Sequence, residues 1–299
     1  MVEFGDSELD ADGGPDGEKT AADVSASVGS LYVVSTPIGN MRDITLRAID
    51  ILRSATLILA EDTRHSRNLL VHHGIETRML SYHEHNEVRA TESALARLRD
   101  GNDVALISDA GTPLLSDPGA RLVREAADAG IPVVPIPGPS ALLAALVSSA
   151  IPSDRFTFYG FLARKGRERE DALAELSVLR HTAVLYESPN RVFATLEELQ
   201  RRGGGARRAV VARELTKQFE EVRRGTVTEL AAYYESSSPR GEVVIVLEGI
   251  TPQPVDENQL RSRVRSLRAA GLSARDVATA LVRDDGASRN LAYRLAHEV

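Results

Sequence analysis

The chain has 299 residues, 42% of them apolar and 26% charged, a balance that fits a soluble globular protein of two ordinary domains. It contains no Cys, which excludes a thiolate nucleophile, a disulfide frame and a Cys-ligated zinc. Residues 1–29 hold eight acids and one base, so the formal charge of -7 belongs to that stretch, and the remainder balances 35 bases against 35 acids. A neutral body excludes strong non-specific attraction to a polyanion but leaves a specific polyanionic partner open.

In chain order, residues 1–29 read as an acidic, Gly-containing disordered tail with no apolar stretch that would make a secretory signal. From Leu31 short apolar runs alternate with amphipathic stretches. The runs are Leu31–Val34, Leu57–Ala60, Val104–Ile107 and Pro132–Pro135, apolar on both faces and bounded by turn residues, which is the pattern of buried parallel strands. One helix is expected to start at Asp43 as N-cap, with Ile44, Ala48, Ile51, Leu52 and Ala55 on its inner stripe. Asp62 or Thr63 can cap another that carries Leu69, Leu70 and His73, and a third runs from after Pro118 to near Gly130. The alternation predicts an α/β domain over 30–150.

Residues 148–154 read as a linker, and a mixed α+β domain is expected over 151–250. Its predicted strands are Phe156–Gly160, Thr182–Tyr186, Ala209–Arg213, Gln218–Arg223 and Val243–Leu247, the third and fourth forming an antiparallel hairpin. Ser188 before Pro189 makes a helix start, and Thr226 with Glu229 a capping box. A second, acidic and Pro-containing linker spans 251–258. The Arg-bearing segment 256–299 follows, with breaks at Gly271-Leu272-Ser273 and Asp285-Gly286. Its three short helices match a helix-turn-helix unit as well as a cap packed on the rest. The longest apolar run, Ala141 to Val147, is far too short to span a bilayer, so no membrane partner is expected.

No G-x-G-x-x-G and no Walker A motif follows a strand, which argues against a standard NAD enzyme and a P-loop NTPase. Three Gly/Pro loops instead stand at strand ends: Ser35-Thr36-Pro37-Ile38-Gly39-Asn40, Ser108-Asp109-Ala110-Gly111-Thr112-Pro113, and Pro137-Gly138-Pro139-Ser140. Open α/β sheets bind ligands at the carboxyl ends of their strands, and glycine lets backbone approach a ligand closely. One such loop is an ordinary turn; three on neighbouring strands point to a binding crevice.

Ala60-Glu61-Asp62-Thr63-Arg64-His65 supplies groups that can orient a substrate or move a proton, or simply cap a helix. Glu187 ends one strand and Lys217 follows another. Within Tyr82-His83-Glu84-His85-Asn86 the two His are two apart, as on a strand, and no further ligand cluster accompanies them, so no metal is expected. Arg164, Lys165, Arg167 and Arg169 form a charge run that is either solvated or set against the phosphates of a polyanionic partner.

Taken together, Thr36-Pro37-Ile38-Gly39-Asn40, Ala60-Glu61-Asp62-Thr63-Arg64, Ser108-Asp109-Ala110-Gly111-Thr112-Pro113, Pro137-Gly138-Pro139-Ser140, Tyr186-Glu187-Ser188 and Ala212-Arg213-Glu214-Leu215-Thr216-Lys217 resemble the ribosomal RNA small-subunit methyltransferase I family. That is the 16S rRNA cytidine 2′-O-methyltransferase branch of the tetrapyrrole methylases. The resemblance covers about residues 30–250. It implies a two-domain tetrapyrrole-methylase-like (class III methyltransferase) α/β fold with a small C-terminal helical module. It further implies S-adenosyl-L-methionine as cofactor, a cytidine ribose of 16S rRNA in the small ribosomal subunit as substrate, a homodimer, and a cytoplasmic location. Carried over by position, the cofactor contacts are Pro37, Ile38, Gly39, Asp109, Gly111, Thr112, Ser140, Ala141, Tyr186 and Leu215. The candidates for activating the hydroxyl are Glu61, Asp62, Glu187 and Lys217. A porphyrinoid C-methyltransferase of the same superfamily would share the loops but has no evident use for the Arg-bearing module, and a non-catalytic RNA-binding assembly factor would not need three cofactor loops.

Overall fold

The computed structural model describes residues 28–250 and 256–298. Nearly all of the acidic extension, part of the second linker and Val299 lie outside the described residues.

The first half is built on a five-stranded sheet of order β3-β2-β4-β1-β5, every neighbouring pair parallel. Its strands are β1 (Leu31–Val34), β2 (Leu57–Ala60), β3 (Met79–Ser81), β4 (Val104–Ile107) and β5 (Val133–Ile136). Between them run α1 (Leu46–Ser54), α2 (Thr63–His72), α3 (Glu87–Arg99) and α4 (Ala120–Asp128), and α5 (Ala141–Ser148) follows β5. Side chains alternate across each strand, so Ile58 and Ala60 join one core with Leu52, Leu69 and Leu70. Leu57 and Leu59 join the opposite core with Leu95, Leu98 and Leu122. That double burial is why β2 and β4 consist of apolar residues throughout.

The second half holds a mixed sheet of order β6-β7-β10-β8-β9. Its elements in chain order are β6 (Phe156–Phe161), α6 (Arg167–Val178), β7 (Thr182–Glu187), α7 (Val192–Leu199), β8 (Arg208–Arg213), β9 (Glu221–Thr226), α8 (Val227–Ser236) and β10 (Val243–Leu247). Only β6 and β7 pair in parallel; β10 runs antiparallel to both β7 and β8, and β9 antiparallel to β8. One face packs on α6, α7 and α8. The other face packs on α5, through Leu142, Ala145 and Leu146, and on Ile38 of the first loop. Helix α5 thus belongs by sequence to the first sheet and by packing to the second, and it locks the two together.

The third unit is α9 (Glu257–Ala269), α10 (Ala274–Arg283) and α11 (Arg289–His297), with its own core of Leu260, Val264, Val277, Leu281, Leu295 and Ala296. Both predicted breaks fall between these helices. No helix among the described residues is long and apolar enough to cross a membrane.

Several boundaries differ from expectation. Asp43 does not cap α1; it ends a single 3-10 turn, Met41–Asp43, and the Thr45 hydroxyl caps α1 by accepting from the Ala48 amide at 3.1 Å. Ile44 reaches the core from the connection instead. Strand β9 begins three residues later than predicted because Lys217 and Glu220 close a turn, the Glu220 amide donating to the Lys217 carbonyl. Residues 82–86 form a turn rather than a strand, since Tyr82 is drawn inward to Thr91 by a 2.9 Å bond between hydroxyls. Strand β3 and helices α3 and α6 carry no prediction; β3 is a three-residue edge strand, largely exposed, and gives no apolar run to find. The capping box of Thr226 and Glu229 is present as read.

The charge run divides. Arg164, Lys165 and Arg167 are exposed, but Arg169 is buried, which corrects its assignment to RNA contact. Its guanidinium donates to Glu198, to the Ala163 carbonyl and to the Thr195 hydroxyl. Arg169→Ala should therefore destabilise the fold by about 3 kcal/mol in urea unfolding, because it strands a carboxylate whose partner is lost.

Candidate active site

The three Gly/Pro loops converge at the carboxyl edge of the first sheet and are bonded to one another. The Thr36 amide donates to the Gly111 carbonyl at 2.8 Å, and the Gly111 amide returns a bond to Thr36 at 3.0 Å. The Thr36 hydroxyl donates to the Ser108 carbonyl at 3.1 Å. Thr112 bridges all three loops, its hydroxyl lying 3.0 Å from that of Ser35 and 3.2 Å from the Pro139 carbonyl. Gly111 sits at φ +81°, a conformation that side chains resist, and an added Cβ would lie 3.4 Å from the Ile38 Cγ2.

Between these loops and the second sheet opens a cleft of ≈ 410 Å³. Of the expected cofactor residues, Ile38, Asp109, Gly111, Thr112, Ala141 and Tyr186 line it. Pro37 and Gly39 line a smaller adjoining cleft of ≈ 170 Å³, which shares Ile38 and Asp109 with the larger one. Ser140 and Leu215 reach neither. The Ser140 hydroxyl caps α5, and Leu215 is buried in the core shared with Ile38 and Tyr186. Tyr186 stands edge-on to Phe158, with ring centroids 4.9 Å apart, and burial raises its phenol above the ordinary value.

Five carboxylates border the larger cleft, Glu61, Asp109, Asp117, Glu187 and Glu242, with no Lys or Arg among its lining residues. Such a wall attracts a cation and repels a phosphate. Asp109 accepts the Asp62 amide at 3.0 Å, which brings the end of β2 alongside loop two. Burial, then the charge of Asp109, raises the Glu61 carboxyl above its usual range, an Asp109 backbone bond offsetting part of the rise. Asp117 is pushed up to about 7 by burial first and the Glu61 charge second; the Ser108 hydroxyl acts the other way and Asp109 adds to the rise. Glu61, Ser116 and Asp117 also border a wide open groove of ≈ 820 Å³, whose other side carries His83, Glu84, His85 and Glu87. Among the described residues no group of three or more His, Cys, Asp or Glu could hold a metal ion.

The remaining candidates are engaged elsewhere. Asp62 caps α2 and pairs with Arg64 at 2.9 Å, and that hydrogen bonding holds its carboxyl down at about 2. Glu187 is buried, with the Ser188 amide at 2.8 Å on one oxygen and the Thr195 hydroxyl at 2.7 Å on the other. Arg191 adds an ion pair to it at 3.2 Å. Lys217 pairs with Glu214 at 2.9 Å and Glu242 at 3.2 Å. Burial opposes its charge, but those two carboxylates outweigh it and hold the ammonium above its ordinary value. Its stem lies where a Cβ on Gly39 would be, 2.3 Å from Cγ, so only glycine lets the first loop pass beneath it.

Sequence reasoning missed Asp117 and Glu242 as site residues. Asp117 lies in loop two beside Pro118 and Gly119, where it reads as one more turn residue. Glu242 precedes β10, and only the antiparallel course of that strand brings its start to the same edge as the end of β7.

A family model described as tetrapyrrole (corrin/porphyrin) methylases matches residues 30–231. That span takes in both sheets but for β10, and it places the chain in the tetrapyrrole methylase class. Uroporphyrin-III C-methyl transferase from Thermus thermophilus, solved with S-adenyl homocysteine, is 20% identical, with a TM-score of 0.55 over 74% of this chain and 97% of that one. Ribosomal RNA small subunit methyltransferase I of Synechocystis sp. is 45% identical over 275 residues, covering 91% of this chain and 99% of that protein. The protein of the same name from Escherichia coli O157:H7 is 43% identical over 274 residues, covering 91% of this chain and 96% of its own length. Within the class, the chain belongs to the ribosomal RNA small subunit methyltransferase I family.

Gly111→Ala should lower the melting temperature by roughly 2–6 °C, the effect of forcing one side chain into left-handed backbone. A melt unchanged from the parent protein would mean that the loop bridge tolerates a second conformation.

Proposed function

We propose that the protein transfers a methyl group from S-adenosyl-L-methionine to the 2′-hydroxyl of a cytidine ribose in the decoding region of 16S ribosomal RNA. The observation that carries this reading is the acid-walled cleft beneath three cross-bonded loops, in a chain of this family. S-adenosylmethionine carries a sulfonium cation and a flat aromatic adenine, and the cleft offers five carboxylates together with Ile38, Leu115, Ala141, Phe161 and Tyr186. Its volume falls in the range of small-molecule sites, about 300–1,000 Å³. Bound there, the cofactor supplies an electrophilic methyl group.

The protein's own part is to align and to handle a proton. Holding two reactants in line is worth about 7–11 kcal/mol in favourable intramolecular models. A ribose hydroxyl is a poor nucleophile while protonated, so a base beside it adds to the rate. Of the candidates, Glu61 alone both lines the cleft and holds a carboxyl outside an ion pair among the described residues. Asp62, Glu187 and Lys217 are committed to a cap, a strand end and two glutamates.

The exposed Arg164, Lys165 and Arg167 contact phosphates of the RNA. Helices α9 to α11 deliver the RNA without chemistry of their own: Arg265, Arg268, Arg275 and Arg289 enter no ion pair among the described residues, which leaves them free for phosphate. The substrate is the assembled small subunit, the enzyme acts as a homodimer, and both meet in the cytoplasm.

Mass mapping of 2′-O-methyl groups on small subunits incubated with the purified protein and cofactor tests the reaction; methylation at a base carbon or nitrogen, or none, defeats it. Asp109→Asn should weaken S-adenosylmethionine binding at least tenfold by calorimetry while the melt is kept, since one charge facing a cation at short range is worth more than ~1 kcal/mol. Replacing Arg164, Lys165 and Arg167 together by Ala should reduce the slope of log affinity for RNA against log salt by about 2–3. An unaltered slope would remove them from the interface.

A further inference from the structure

Two spaces meet at one wall. The ≈ 410 Å³ cleft has the size and charge for the methyl donor, and the ≈ 820 Å³ groove is wide enough for part of a large substrate. Among the described residues only Glu61, Ser116 and Asp117 border both. A group that handles the proton of the acceptor hydroxyl has to stand at that boundary, because there the two reactants touch.

We propose that Asp117 is the catalytic base, taking the proton of the ribose 2′-hydroxyl as the hydroxyl oxygen accepts the methyl group. The proposal rests on the reading above that the acceptor is a hydroxyl of RNA. As the carbon–oxygen bond forms, the proton passes to an Asp117 carboxylate oxygen, and the sulfur of the departing thioether keeps the electron pair of the broken carbon–sulfur bond. One positive charge on sulfur and one negative charge on the carboxylate disappear together, so partial shielding from water favours the products.

Asp117 is preferred to Glu61 because of what surrounds each. Each has a hydrogen bond that steadies its charge, Glu61 from the Asp109 backbone and Asp117 from the Ser108 hydroxyl, so burial and the neighbouring acids make the difference. Asp117 is half-buried and faces Glu61 and Asp109 on the cleft side, with Tyr186 across the cleft and His83, Glu84, His85 and Glu87 across the groove. Its value of about 7 is that of a base matched to neutral pH.

The test has two arms. In the ligand-free protein, carbon NMR with labelled aspartate should show one carboxyl titrating near pH 7, absent from Asp117→Asn; such a probe sees aspartates alone and is blind to the two His. In the second arm, kcat/KM for S-adenosylmethionine, which reports the ligand-free protein, should rise with pH through about 7 in the parent protein. Asp117→Asn should lower kcat at least a hundredfold and abolish that rise, with cofactor affinity kept within a few-fold, whereas Glu61→Gln should keep the rise but move it to lower pH, because the Glu61 charge helps hold Asp117 up. The replacement is nearly isosteric, and a melt verifies the fold. No aspartate titrating near 7, or a pH rise that survives Asp117→Asn, overturns the proposal and leaves the RNA methyltransferase reading standing. A parent protein that methylates no RNA hydroxyl removes that reading and this proposal with it, whatever the NMR shows.

Discussion

The two backbone bonds between Thr36 and Gly111 hold the site together. They join the loops after β1 and β4, which are neighbours in the sheet but would otherwise diverge above it. The same residues commit their polar groups inward: the Thr36 hydroxyl goes to Ser108, and Thr112 links the first loop to the third. Backbone and hydroxyls so engaged cannot rearrange cheaply, because each broken bond leaves a partly buried polar group unpaired. The floor of the cleft is a product of folding and is present before any ligand arrives.

Everything set on that floor follows from two further constraints. Helix α5 leaves the third loop capped by Ser140 and buries its apolar side on the second sheet, which brings Tyr186 and the start of β10 over the loops. Packing of carboxylates around the resulting space then separates their properties by environment. Asp62, exposed and bonded to Arg64, is held acidic; Asp117, shielded and facing other acids, is held near neutrality. One loop of sequence, read residue by residue, offers no hint of that division.

The parts legible in the sequence are those whose cause is local. β2 and β4 are apolar throughout because both faces are covered, and the Gly and Pro residues that punctuate the loops are the ones the turns require. The capping box of α8 and the breaks between the C-terminal helices are likewise local. What escaped is set by distant neighbours. β3 is an exposed edge strand with three residues, and Glu242 enters the site through strand direction. Arg169 sits on α6, a helix the sequence reading does not assign; there Arg167 and Arg169 lie about 200° apart and cannot present one face. Asp62 is the opposite case, a cap recognisable from position alone, whose resemblance-based role competes with that plain one.

Four residues that are not glycine hold positive φ in the two loops that border the clefts: Leu114 and Ser116 in one, Glu214 and Thr216 in the other. Such conformations cost of order 1–3 kcal/mol each and persist only where the surroundings enforce them. Ser116 precedes Asp117, and Glu214 anchors Lys217. The chain therefore carries a reserve of conformational tension next to Asp117 and Lys217, held down by the sheets on either side. Glycine at those four places would relax it and add robustness to heat, but it would also restore freedom to segments whose value lies in having none.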